Sequence, residues 1–215
     1  MPTDRQILTL AQWLSPAYPV GAFAYSHGLE WAVRAGDVRD APALRDWLSD
    51  VLSHGAGRAD VILMAAAHEA EGLEALDAVD AIGRAFAPSA ERLKETDLQG
   101  AAFAGITAEI WGGELPALTY PVALGRAARL QGLPLLLTAR MYLHALMSSL
   151  VSAGIRLIPI GQTDGQKVLA ALTPLCEKVA EEAVGQGLDE LASSAFLADS
   201  ASMKHETLYS RLFRS

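Results

Sequence analysis

A Ser-His pair is the first feature of the sequence that could do chemistry. Ser26 and His27 lie in the segment SPAYPVGAFAYSHGLEW, residues 15–31, which also holds two prolines, two glycines and two tyrosines. A serine nucleophile in a hydrolase sits in a G-x-S-x-G turn between a strand and a helix. Here alanine replaces the first glycine, and the pattern indicates a helix from Ala22 to about Ala35. Neighbouring side chains on a helix point about 100° apart, so we predict a helix here and not a catalytic pair.

A second candidate is the glycine-containing segment GQTDGQK, residues 161–167. A phosphate-binding loop has four residues between its glycines and a serine or threonine directly after its lysine. This segment has three residues between the glycines, and valine follows Lys167. The sequence therefore predicts a turn that begins a helix, with Asp164 as the N-cap residue.

Possible metal ligands are scattered along the chain. No two histidines are four residues apart, and neither H-E-x-x-H nor C-x-x-C occurs. Met64 and His68 have helical spacing, which is typical of a core pair, and His27 and Glu30 are spaced to face one another on a helix. We expect no dedicated metal cage and no cofactor, while a transient metal contact stays open. The five histidines are His27, His54, His68, His144 and His205.

Composition narrows the class of protein. The chain has 215 residues, of which 51% are hydrophobic and 20% are charged, and its net charge is −8. An acidic chain repels nucleic-acid phosphates, so we expect no nucleic-acid partner. The single cysteine, Cys176, excludes an internal disulfide and favours the reducing cytoplasm. The most apolar run, 133–160, contains Arg140, His144 and Arg156, which indicates a buried core helix and no membrane crossing.

The apolar periodicity predicts helices throughout and no strand. Asp40 with Pro42, and Ser89 before an acidic turn, mark two helix starts, and a third helix is expected over residues 188–202. We predict an all-α, single-domain bundle of about ten helices over residues 1–202, with a C-terminal tail over 203–215.

The tail differs from the acidic body in charge. It has three basic side chains and one acidic side chain, and four apolar residues lie near its end. Such a segment either packs on its own domain or docks on a partner. We interpret it as an interaction element, whose deletion would leave the melting temperature nearly unchanged.

Three segments together carry a family resemblance. LSPAYPVGAFAYSHGLEWAV, YLHALMSSLVSAGIRLIPIGQTDGQKVLAAL and HETLYSRLFRS resemble, in the same order, signatures of the urease accessory protein UreF family. The match runs from about Leu8 to Ser215 and is loose over residues 58–114.

The resemblance implies a cytoplasmic, non-enzymatic, homodimeric all-α protein. It implies binding to the accessory protein UreD (UreH), recruitment of the GTPase UreG, and nickel delivery to apo-urease. In the family, the arginine of YSRLFRS and the aromatic after the P-x-G turn belong to the UreD contact. Here these are Arg211 and Phe23. The partner-binding residues that we predict are Phe23, Tyr25, His27, Glu30, Tyr209, Arg211, Leu212, Phe213 and Arg214.

Two other functions stay open from the sequence. The chain could bind nickel itself as a metallochaperone, although no cluster of histidine or cysteine supports this. It could also activate the GTPase by inserting an arginine into its active site. Arg126, Arg129, Arg140 and Arg156 are candidates for that arginine by residue type alone.

Overall fold

The computed structural model describes all residues from 1 to 215 and contains ten α-helices and no strand, which confirms the predicted all-α class. Two single-turn 3₁₀ helices, Ala22–Ala24 and Leu188–Glu190, complete the secondary structure. The helices are α1 Asp4–Trp13, α2 Leu29–Ala35, α3 Ala41–His54, α4 Ala56–Glu69, α5 Gly72–Ala85, α6 Ala90–Trp111, α7 Tyr120–Leu130, α8 Leu135–Leu157, α9 Gln162–Val184 and α10 Phe196–His205.

Helix starts with a local signal lie where the sequence predicts them. Asp40 caps α3 by accepting a hydrogen bond from the amide of Ala43, and a proline occupies the first turn of this helix. Ser89 caps α6 through the amide of Arg92. These side chains satisfy backbone donors that the first helical turn leaves free.

Three predicted helix starts are wrong. The helix expected from Ala22 begins at Leu29, because the preceding residues include left-handed backbone. Gly161, not Asp164, caps α9, and Asp164 instead pairs with Lys167 at 3.0 Å within the first two turns. The helix expected over 188–202 is a 3₁₀ turn followed by non-helical backbone, and α10 begins only at Phe196.

The core forms where helices approach closely. Helix α4 packs on α7, and a Cβ atom at Gly125 would lie 2.2 Å from the carbonyl oxygen of Met64. Glycine is therefore required for this crossing. The buried Trp13 ring meets the rings of Phe103 and Trp111 edge to face, at centroid distances of 5.4 and 5.5 Å.

Helix α8 is long and apolar enough, by length and composition alone, to cross a membrane. In the bundle it packs against α9, α3 and α4, and it contributes Leu143, Met147 and Leu150 to the core. This agrees with the prediction of a core helix. After α9 the chain returns through α10, which packs against α2 and α6 and leads into the tail.

The predicted tail begins inside a helix. Residues 203–205 are the last residues of α10, so the segment beyond the helix is residues 206–215, and we use the word tail for these residues from here on. The tail runs back across the start of α2.

Candidate partner-binding site

The segment before α2 has a backbone that places its polar side chains inside the protein. Tyr25 is extended, whereas His27 and Gly28 have φ of +53° and +76°. Glycine is needed at position 28 for space as well, because a Cβ atom there would lie 2.6 Å from the main-chain nitrogen of Ser202 on α10. Ser26 and His27 therefore lie in a strained turn, and their predicted location on a helix is wrong.

Ser26 joins this turn to the end of the tail. Its side chain is fully buried, and its hydroxyl donates to the main-chain oxygen of Ser215 at 2.6 Å. The amide of Ser26 donates to the same oxygen at 2.8 Å, and the amide of Arg214 donates to the oxygen of Ala24 at 2.7 Å. The tail is thus paired through main-chain atoms with residues 24–26.

Glu30 is the second anchor of the tail. Its side chain is 1% exposed, and its carboxylate accepts hydrogen bonds from the amides of Leu212 and Phe213 at 2.9 to 3.0 Å. Arg34 donates to it at 2.8 Å. Burial alone would raise the pKa of Glu30, but the two amides, His205 and Arg34 outweigh burial and lower the pKa below its usual value. Glu30 therefore stays an ionised acceptor beneath the tail.

His27 belongs to a separate buried group centred on Glu95. Nε2 of His27 lies 3.0 Å from Oε1 of Glu95, and Arg92 pairs with the same carboxylate. Gln99 and the hydroxyl of Ser215 donate to Glu95 at 3.0 and 2.6 Å. Burial would raise the pKa of Glu95, but Arg92 and His27 outweigh it and lower the pKa to about 2. The expectation that His27 and Glu30 face one another is wrong, because His27 contacts Glu95 whereas Glu30 contacts the amides of the tail.

The outward side of the tail is open to solvent. Tyr209 is fully exposed and Leu212 is 64% exposed, whereas Phe213 between its neighbours is 3% exposed. Phe23, next to the residue that pairs with Arg214, is 52% exposed. These apolar side chains could contact another protein without any change in the anchored backbone.

The predicted partner-binding residues therefore fall into two groups. Five are exposed, and four are buried within the chain. The exposed residues are Phe23, Tyr209, Arg211, Leu212 and Arg214, and the buried residues are Tyr25, His27, Glu30 and Phe213.

Several residues of the site had no sequence signal of their own. Glu91 pairs with Arg211, and the guanidinium of Arg156 lies 4.4 Å from the ring centroid of Phe213 while it donates to the main-chain oxygen of Phe23. Arg156 was a candidate only as an inserted arginine, and here it holds the tail. The spacing of Arg92 and Glu95 at i, i+3 on α6 was the one available signal for the buried group.

A cavity of about 690 Å³ lies next to this buried group. Its wall includes the aromatic side chains of Trp13, Tyr18 and Tyr25, and His27 and Glu95 line it as well. Nδ1 of His27 has no hydrogen-bond partner. The structure contains no group of three or more histidine, cysteine or carboxylate side chains arranged to hold a metal ion.

Comparison with known proteins identifies the family. The UreF family model matches residues 38–173. Urease accessory protein UreF of Ruegeria pomeroyi is 56% identical over 214 residues, covering 100% of this chain and 99% of the relative. The UreF proteins of Roseobacter denitrificans and Rhodopseudomonas palustris are 55% and 50% identical, covering 100% and 99% of this chain and 96% and 92% of the relatives. The chain therefore belongs to the urease accessory protein UreF family.

Proposed function

We propose that the chain is a non-catalytic scaffold of urease maturation that binds UreD (UreH) and, with it, recruits the GTPase UreG for nickel insertion into apo-urease. The named partners follow from the family resemblance, and the cytoplasm is the compartment in which they meet. The single observation that carries the proposal is the anchored tail with its solvent-exposed apolar side chains.

Preorganisation of the tail lowers the entropic cost of binding a partner. A flexible tail would lose conformational entropy on binding, whereas this tail is already fixed by hydrogen bonds to Ser26 and Glu30. Tyr209 and Leu212 then present apolar surface at low entropic cost, and aromatic anchors of this kind supply much of the binding free energy at interfaces. We assign UreD to this surface.

Further apolar surface is available for other contacts. Phe196, Leu197 and Met203 on α10 are all more than half exposed, as is Leu8 on α1. We infer that part of this surface closes a homodimer by two-fold symmetry. Light scattering at micromolar concentration should then give twice the chain mass, and a monomer would contradict the inference.

Co-purification tests the UreD contact. We expect the double variant Tyr209→Ala, Leu212→Ala to lose at least about tenfold in affinity for UreD, because removal of interface anchors costs about 1–2 kcal/mol or more each. Ile110→Ala is the matched control, since Ile110 is similarly exposed but lies on α6, and it should bind UreD normally. Normal binding by the double variant would overturn the assignment of UreD to the tail.

Nickel calorimetry on the isolated chain separates the scaffold from a metallochaperone. A scaffold should show no stoichiometric nickel binding at micromolar concentration. Tight binding of one nickel ion per chain would instead favour a direct role in carrying the metal.

A further inference from the structure

Two exposed arginines from different elements meet the segment before α2. Arg156, in the last turn of α8, donates from Nη1 to the main-chain oxygen of Phe23 at 3.2 Å. In the tail, the main-chain amide of Arg214 donates to the oxygen of Ala24 at 2.7 Å. Both arginine side chains are exposed. The fold therefore fixes two arginines at neighbouring positions of one short segment.

Neither of these arginines has a carboxylate partner within the chain. Six other arginines form ion pairs with aspartate or glutamate, whereas Arg156 and Arg214 form none. The guanidinium of Arg156 instead lies 4.4 Å from the ring centroid of Phe213. A guanidinium has several N–H donors, and Arg156 uses one of them on Phe23. Donors of this side chain are therefore left for a partner molecule.

The carboxylates that contact the tail are occupied by other groups. Glu30 and Glu95 have side chains that are only 1% and 3% exposed, and each already pairs with an arginine. Glu91 pairs with Arg211. Glu206, the one acidic residue of the tail, accepts hydrogen bonds from two amides at the start of α6. The tail therefore keeps uncompensated positive charge on its surface, although the net charge of the chain is −8.

Apolar side chains lie beside this charge. Phe23 and Leu212 are 52% and 64% exposed, and together with Arg156 and Arg214 they form a surface that we call the basic-apolar patch. We propose that this patch binds a segment of UreD in which at least one exposed carboxylate lies beside apolar side chains. A guanidinium forms charge-assisted hydrogen bonds with a carboxylate, and their planar geometry fixes the orientation of the two partners.

The charge of the whole chain argues for a protein partner at this patch. A net charge of −8 repels the phosphates of a nucleic acid, and two arginines are too few to offset that repulsion. A local positive patch on an acidic chain instead favours one orientation of an acidic protein surface. The inference rests on the UreD contact proposed above, and it adds the chemistry that UreD must present.

Titration of UreD with the full-length chain at two salt concentrations tests the charge. Arg214 is the residue to change, because its main-chain contact survives substitution. We expect Arg214→Glu to weaken UreD binding about tenfold or more at about 50 mM salt and clearly less at about 500 mM, since salt screens exposed charges. Arg214→Lys keeps the charge and should bind within about threefold of wild type.

Arg129→Glu is the matched control for the change in net charge. Arg129 is also exposed, donates to a main-chain oxygen and forms no ion pair, but it lies at the end of α7. This variant should bind UreD like the wild type at both salt concentrations. The melting temperature of Arg214→Glu should equal that of wild type, which separates a lost contact from a lost fold.

Carbodiimide coupling identifies the carboxylate directly. Arg214→Lys places a primary amine at the patch, and the carbodiimide joins this amine to a neighbouring carboxylate as an amide, taking up the water that is released. We expect mass spectrometry to find a crosslink from residue 214 to an aspartate or glutamate of UreD. Arg129→Lys should give no such crosslink. Because the lysine variant keeps the charge, this test holds even if Arg214→Glu does not fold.

Three results would overturn the proposal. The first is wild-type affinity of Arg214→Glu for UreD together with no crosslink from residue 214. The second is loss of the homodimer in Arg214→Glu with normal UreD binding, which would assign the patch to a second copy. The third is loss of UreG recruitment with normal UreD binding, which would assign the patch to UreG.

The failure of this inference differs from the failure of the proposed function. If the double variant Tyr209→Ala, Leu212→Ala loses UreD binding while Arg214→Glu keeps it, the carboxylate contact alone is wrong. If both variants bind UreD normally, the assignment of UreD to the tail is wrong as well.

Discussion

The inward and outward side chains of the tail are adjacent in sequence and opposite in exposure. Phe213 keeps 3% of its surface and lies beneath Arg156, whereas Leu212 keeps 64% and has no comparable cover. The inward side is held as part of the core, and the outward side is free for a partner. The tail can therefore dock on its own domain and on a partner at the same time, because the two contacts use different side chains.

Deletion of residues 206–215 should produce the largest effect on stability. It removes the buried Phe213 ring, for which truncation to alanine in a core costs about 3–5 kcal/mol. It also leaves Glu30 without two amide donors. At about 2–4 °C per kcal/mol for a chain of this size, the melting temperature should fall by at least about 6 °C in calorimetry.

This expectation replaces the sequence-based one of an unchanged melting temperature. Leu212→Ala is the control, because the same segment stays in place and only exposed apolar surface is lost; its melting temperature should stay within about 2 °C of wild type. A deletion as stable as the full chain would show that the tail is not docked in solution, and the contrast between its two sides would fail.

Acid should lower the stability of the folded chain by protonating Glu95, which accepts a hydrogen bond from Ser215 at the end of the tail. Its pKa is lowered from 4.5 to about 2 in the folded chain, so its contribution to stability is complete above pH 4.5 and is lost as the pH falls towards 2. The loss is on the order of 3 kcal/mol in the free energy of unfolding, since one pKa unit corresponds to about 1.4 kcal/mol. Urea titrations at pH 6, 4 and 3 measure the part of this loss that falls above pH 3, about 2 kcal/mol.

Glu95→Gln should be less stable at pH 6 and should lose less stability in acid. Glu74→Gln, at an exposed position on α5, should keep the acid response of the wild type. If the Glu95 variant loses stability as steeply as the wild type does, other carboxylates cause the acid response.

Arg211 lies between the two sides and should show the smallest effect on stability. Its ion pair with Glu91 is partly exposed, and such pairs contribute about 0–1 kcal/mol. If UreD buries this side chain, Arg211→Ala should weaken UreD binding by roughly thirty-fold or more, as expected for loss of an arginine anchor of about 2–4 kcal/mol. Calorimetric stability and a binding titration on the same variant separate the two roles. Unchanged affinity for UreD would show that Arg211 is not an anchor of the UreD contact.

Local signals account for the parts of the fold that the sequence predicted well. Helices α3 and α6 begin with their own capping residues, Asp40 and Ser89. The apolar run of α8 predicts that this helix lies in the core. Such features depend on residues within a few positions of one another, and they suffice to predict the all-α bundle.

The geometry of the site depends on residues far apart in the sequence. The left-handed backbone at His27 has no local signal, because its partner Glu95 lies 68 residues further along the chain. Likewise, Glu30 meets amides of the tail 182 and 183 residues away. The resemblance marked both segments as important, but only their spatial pairing shows which side chains are anchors and which are exposed.

Docking of the tail through main-chain atoms has a consequence for how this surface can change in evolution. The anchors Ser26 and Glu30 contact the backbone amides of residues 212 and 213 and the main-chain oxygen of residue 215, and those groups are the same for nearly every residue type. Substitutions at exposed positions such as Tyr209 and Leu212 can therefore alter the surface shown to a partner without disturbing the anchor. An accessory protein built in this way can follow sequence drift in its partner one side chain at a time while its own fold is preserved.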